Sequence, residues 1–148
     1  MPLMLLLATL AATVPDEKAA WNAQAALREL LNQPAALGVE FAVEPNTIDP
    51  CYTQYAPIRS GQSKQDALKR SFGIDWRHAV STGFIAGTGA DGDWWQNYIE
   101  VRNDTGGMWP FHPTRQQTMP MLSAAIDLIR LCKSMPSVER EVHERDNN

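Results

Sequence analysis

At 148 residues the chain has the size of one domain, and its balance of 44% hydrophobic to 20% charged residues is that of a globular protein rather than a disordered one. A formal charge of -4 excludes a nucleic-acid footprint, which draws its affinity from clustered Lys and Arg. No apolar run reaches the roughly 18 to 20 residues of a membrane span.

The chain opens with Leu3, Leu6, Leu7, Leu10 and Val14 at helical spacing behind Pro2, a residue suited to a helix start. Residues 1–12 also resemble the apolar core of a signal segment, but no Lys or Arg precedes them. The reading is therefore a folded helix in a cytoplasmic protein, with export as the alternative if residues 1–12 are a leader. Pro15 disfavours helical geometry at Val14, so the first helix is predicted to end there. Asp16 is then expected to cap a second helix carrying Ala20, Ala23, Leu27, Leu30 and Leu31, closed by Pro34. Together residues 1–33 read as a helical hairpin.

Alternation of Val39, Phe41 and Val43 with Glu40 and Glu44 predicts a half-buried strand over 39–44. Residues 45–62 show no period and read as a long ordered loop, a kind of segment that often carries function. Ser63 and Asp66 form the outline of a capping box, so a brief helix follows with Ala67, Leu68 and Phe72 as its apolar side. Strands are predicted over 74–80 and 82–87. Gly87, Gly89 and Gly92 then mark a turn leading into a strand over 93–102. A second turn falls at 103–107. The last helix is predicted over 118–134, capped by Thr118, with Leu122, Ala125, Ile126, Ile129 and Cys132 facing the core and Pro136 ending it. The tail 137–148 mixes both charge signs and is expected to fray. The sum is a single α+β domain over 1–136: a small, mainly antiparallel sheet packed against the N-terminal hairpin and the C-terminal helix.

The chemistry-bearing residues are few and scattered. Gly87-x-Gly89-x-x-Gly92 has the letters of a dinucleotide fingerprint, but a strand rather than a helix is predicted after it and Gly107, not a carboxylate, stands twenty residues beyond Gly87. Cys51 and Cys132 fall in no C-x-x-C pattern and read as ordinary thiols. His78, His112 and His143 lack metal-ligand spacing, so neither a metal nor a cofactor is implied.

The aromatics are more informative. Trp94, Trp95, Tyr98, Trp109 and Phe111 lie within eighteen positions. If Trp95, Ile99 and Val101 face inward, Trp94 and Tyr98 face outward, because side chains alternate along a strand. Exposed Trp and Tyr anchor protein interfaces. Trp94, Tyr98, Trp109 and Phe111 are thus the expected partner-binding residues. The expected function is a non-catalytic interaction protein, such as an inhibitor, an immunity-type neutraliser or a subunit of a larger assembly like a virion component. Its partner would be another protein with a basic surface to match the acidic chain, and homo-oligomers are compatible with that reading. The alternative is a small-ligand binder or small hydrolase using the 45–62 loop with His78 and His112.

Overall fold

Three helices and six strands, arranged as two antiparallel sheets of three strands, make up the computed structural model, which describes residues 2–34, 40–85 and 98–137. The α+β class follows. The predicted Gly87–Gly92 turn, Trp94, Trp95, His143 and the tail beyond Ser137 lie outside the described residues.

Helix α1 (Pro2–Asn32) runs unbroken through Pro15, so the predicted helical hairpin does not form. A proline removes one backbone hydrogen bond, and here that local penalty does not end a helix of 31 residues. Asp16 consequently lies inside the helix instead of capping one. The second half of α1 buries Ala20, Ala23, Gln24, Leu27 and Leu31, a stripe at i, i+3, i+4, i+7 and i+11.

Sheet A has the order β1 (Glu40–Val43), β2 (Tyr52–Ile58) and β3 (Phe72–Asp75). Its central strand occupies what the sequence presents as part of a 45–62 loop. Residues Thr53, Gln54, Tyr55 and Ala56 are all buried, because β2 is covered on both faces and so shows no polar–apolar alternation. Tyr55 and Phe41 face α1 and the main core, while Ala42 and Ala56 meet Ala67 of the short helix α2 (Lys64–Leu68). Pro57 is tolerated because β3 pairs only as far as Tyr55, leaving no ladder bond to lose on that side. Ser63 caps α2 by accepting from the Asp66 amide, as its sequence predicts.

Beyond β3 the chain turns through Trp76, Arg77 and His78 into sheet B, ordered β4 (Ala79–Ile85), β5 (Tyr98–Asn103) and β6 (Met108–Phe111). The predicted strand over 74–80 is thus split between two sheets, with fully buried Trp76 at the corner. The β5–β6 turn sits where Asn103-Asp104-Thr105-Gly106-Gly107 places it, with Gly106 at φ +87°, a conformation that favours glycine.

Helix α3 (Arg115–Cys132) starts three residues before the predicted 118–134 span. Its cap is Thr114, not Thr118. The Thr114 hydroxyl accepts from the Gln117 amide, and the Gln117 side chain accepts from the Thr114 amide, a reciprocal capping box. Thr118 instead donates back to the Thr114 carbonyl. The core face is Met121, Ala124, Ala125, Leu128, Ile129 and Cys132; of the expected residues Ala125, Ile129 and Cys132 are on it, Leu122 packs half-buried beside it, and Ile126 is 48% exposed instead.

The two sheets meet where the tilted rings of Tyr55 and Phe111 lie 5.2 Å apart, with the Tyr55 hydroxyl donating to the Pro110 carbonyl. Helices α1 and α3 pack on each other and close the core. Cys51 and Cys132 are joined in a disulfide across 81 positions, with 5.7 Å between their Cα atoms, and are not the ordinary thiols that their spacing suggests. No described helix is long and apolar enough to cross a membrane.

Candidate functional site

The most ordered polar chemistry lies where α1, the 44–51 segment and the β3–β4 turn converge. The Trp76 indole donates to the Thr53 hydroxyl at 2.9 Å, and that hydroxyl donates to the Gln24 amide oxygen at 2.6 Å. The Gln24 amide nitrogen then donates to the Pro50 and Tyr52 carbonyls. Every side-chain group in this chain of bonds is satisfied, which is the signature of a scaffold rather than of a reactive centre.

Beside it, the Arg77 guanidinium makes a two-pronged contact with the Asp49 carboxylate at 2.8 and 3.0 Å and a further bond to Asp75. It also donates to the carbonyls of Met135 and Pro136, fastening the chain that leaves α3. Asp49 in turn accepts from the Cys51 amide, next to the disulfide. A groove of about 370 Å³ opens next to this cluster between Asp16, Glu17, Ile48 and Met135. Arg77 contributes no free charge to it, since its nitrogens are already engaged.

The histidines do not converge. His78 pairs with Asp104 at the Asn103 end of β5, whereas His112 follows Phe111, which pairs with Ile99 at the other end. A strand of six residues separates these ends by about 17 Å at roughly 3.4 Å per residue. His112 sits against the Tyr98 ring, and burial holds its imidazole below the usual range. Burial likewise pushes the Tyr55 phenol above its ordinary range. Among the described residues no group of three or more His, Cys, Asp or Glu is placed to hold a metal ion.

The predicted aromatic residues divide between the two faces of sheet B. Directly paired residues share a face, so Trp109 with Val101 and Phe111 with Ile99 belong to the core side. Phe111 is fully buried and Trp109 packs half-buried against the same core, so neither shares a surface with Tyr98 as the sequence suggested. Tyr98 lies on the opposite, outer face with its register partner Ile85. Met108 and Pro110 are exposed on this face too, at positions paired with Arg102 and Glu100. The Arg102 guanidinium donates to the Glu100 carboxylate, which is nearly covered.

Sequence reasoning missed Met108, Pro110 and Ile85 because none is a chemistry-bearing type. The signal was positional: once the turn at 103–107 fixes the hairpin, residues 98, 108 and 110 follow on one face by parity, and Ile85 joins them through its pairing with Tyr98. Comparison with protein families, with curated proteins and with solved structures finds no match.

Proposed function

We propose that this protein acts by binding another protein through the outer face of sheet B and carries out no chemistry of its own. The observation behind this reading is the grouping of Ile85, Tyr98, Met108 and Pro110 around the Glu100–Arg102 pair, with Met108 49% exposed. Apolar and aromatic groups around a polar pair whose acid is covered and whose base is exposed resemble a recognition surface. The negative net charge favours a partner with a basic surface. An inhibitor, a neutraliser and an assembly subunit all fit this description. The Cys51–Cys132 bond supports an oxidising compartment as the working location, in place of the cytoplasm expected from the sequence.

The test is a photo-cross-linking residue placed at Met108 in the source cell, with Lys64 of α2 as a remote control position. A discrete adduct at 108 and none at 64 is expected. Tyr98→Ala should then weaken binding of the identified partner by roughly thirtyfold, the effect of losing one aromatic anchor. Equal cross-linking at both positions, or unchanged binding by Tyr98→Ala, overturns the reading.

A further inference from the structure

Four strand edges bound the two sheets, and three carry a residue that discourages further pairing. Strand β1 has Glu40, β3 has Asp75 and β6 has Pro110. Strand β4, Ala-Val-Ser-Thr-Gly-Phe-Ile, has neither a charge nor a proline, and no described strand pairs with its outer side. Val80 and Phe84 are 54% and 44% exposed on it. Between this edge and α3 lies a shallow groove of about 330 Å³ that includes Thr82, Ile126 and Arg130. The Thr82 hydroxyl there is buried without a partner among the described residues.

We propose that β4 pairs antiparallel with β4 of a second copy of this chain, merging the two B sheets into one of six strands. A two-fold axis through Thr82, perpendicular to the sheet, sets Ser81 opposite the partner's Gly83 and buries no charge in the new ladder. The same axis keeps both α3 helices on one face of the merged sheet, side by side and antiparallel. On α3 a partly exposed acid, Asp127, and an exposed base, Arg130, pair with each other next to exposed Ile126. A two-fold interface is self-complementary, so in the dimer each copy can exchange this pair for two across the axis, its Asp127 with the other's Arg130 and the reverse. A foreign strand offers no such exchange, which favours a second copy. The edge is distinct from the outer face proposed for the partner, and pairing would place two such faces on one continuous surface.

Size-exclusion chromatography with light scattering on the full chain should give twice the 16.5 kDa chain mass at micromolar concentration. Phe84→Lys should give a monomer with unchanged circular dichroism. Asp127→Arg and Arg130→Asp should each weaken self-association about tenfold, and an equimolar mixture of the two should recover a dimer. A monomeric wild-type chain at every concentration, a dimer indifferent to Phe84→Lys, or a mixture that recovers nothing would overturn the proposal.

Discussion

The Thr53 hydroxyl is the only side-chain group that the Trp76 indole N–H bonds among the described residues, and Thr53 passes its own proton on to Gln24. One small side chain on a central strand therefore satisfies a helix and a sheet corner at once. Thr53→Val keeps the shape but leaves a buried donor and a buried acceptor unpaired. Each unsatisfied group costs about 1 to 3 kcal/mol, so the variant should lose at least about 2 kcal/mol in urea unfolding. A loss below about half a kcal/mol would show that the network is not holding α1 to β2.

Asp49 and Arg77 make a similar point with charges. Asp49 is 1% exposed and faces a guanidinium whose side chain is nearly as covered. Removing one member of a buried pair typically costs about 3 to 5 kcal/mol, and Arg77 here keeps Asp75 at 3.2 Å as a second partner. Asp49→Asn is expected near the lower end of that range and to release the chain at Met135 and Pro136, seen as faster exchange of the Met135 amide. Destabilisation without that local release would mean that the clamp on Met135 and Pro136 does not depend on Asp49.

Helix α3 separates two sets of apolar residues that share one spacing. Leu128 is fully buried, whereas Ile126 stands half in solvent. Leu128→Ala should cost about 2 to 5 kcal/mol, while Ile126→Ala should stay within about 1 kcal/mol of wild type when the monomer is measured. The reverse order would place the core on the other face of the helix.

That helix also shows what was legible in the sequence. Its existence, its apolar stripe and the α+β class follow from periodicity. Its phase is legible only in part: Ala125, Ile129 and Cys132 are buried as their spacing suggests, but the core extends to Met121, Ala124 and Leu128 and leaves Ile126 exposed. The Cys51–Cys132 bond has no local signature, because the two cysteines are distant in sequence. The helix start was misplaced at Thr118, although Thr114-x-x-Gln117 has the letters of a capping box. Strand β2 was not legible, because Thr53 and Gln54 are polar residues buried by hydrogen bonds, and pattern reading assigns such residues to loops. At the candidate site Tyr98 was placed outward by parity alone. Trp109 and Phe111 were misplaced because the hairpin register, and not the aromatic content, decides their face.

The disulfide closes a loop of 81 positions. Restricting the unfolded chain over that span is worth about 4 kcal/mol in the loop-entropy picture. A Cys51→Ser, Cys132→Ser double variant should lose stability of that order, with a shallower loss for a Cys51→Ala, Cys132→Val pair that refills the space. If reduction leaves the melting temperature unchanged, the bond is not restricting the unfolded chain.

His112 gives the fold a pH dependence whose direction is fixed by its surroundings. It is half-buried beside Tyr98, and burial favours the neutral imidazole, so the folded protein takes up a proton less readily than the unfolded chain does. Where the unfolded state binds more protons, stability rises with pH. His112 therefore lowers stability as pH falls through its unfolded value near about 6.5, and the effect levels off once the folded form is protonated too. His112→Gln removes that titration while keeping a polar side chain of similar reach. Between pH 7.5 and pH 5 the urea midpoint of the wild type should fall further than that of His112→Gln. Parallel curves across the whole interval would show that the imidazole titrates alike in both states.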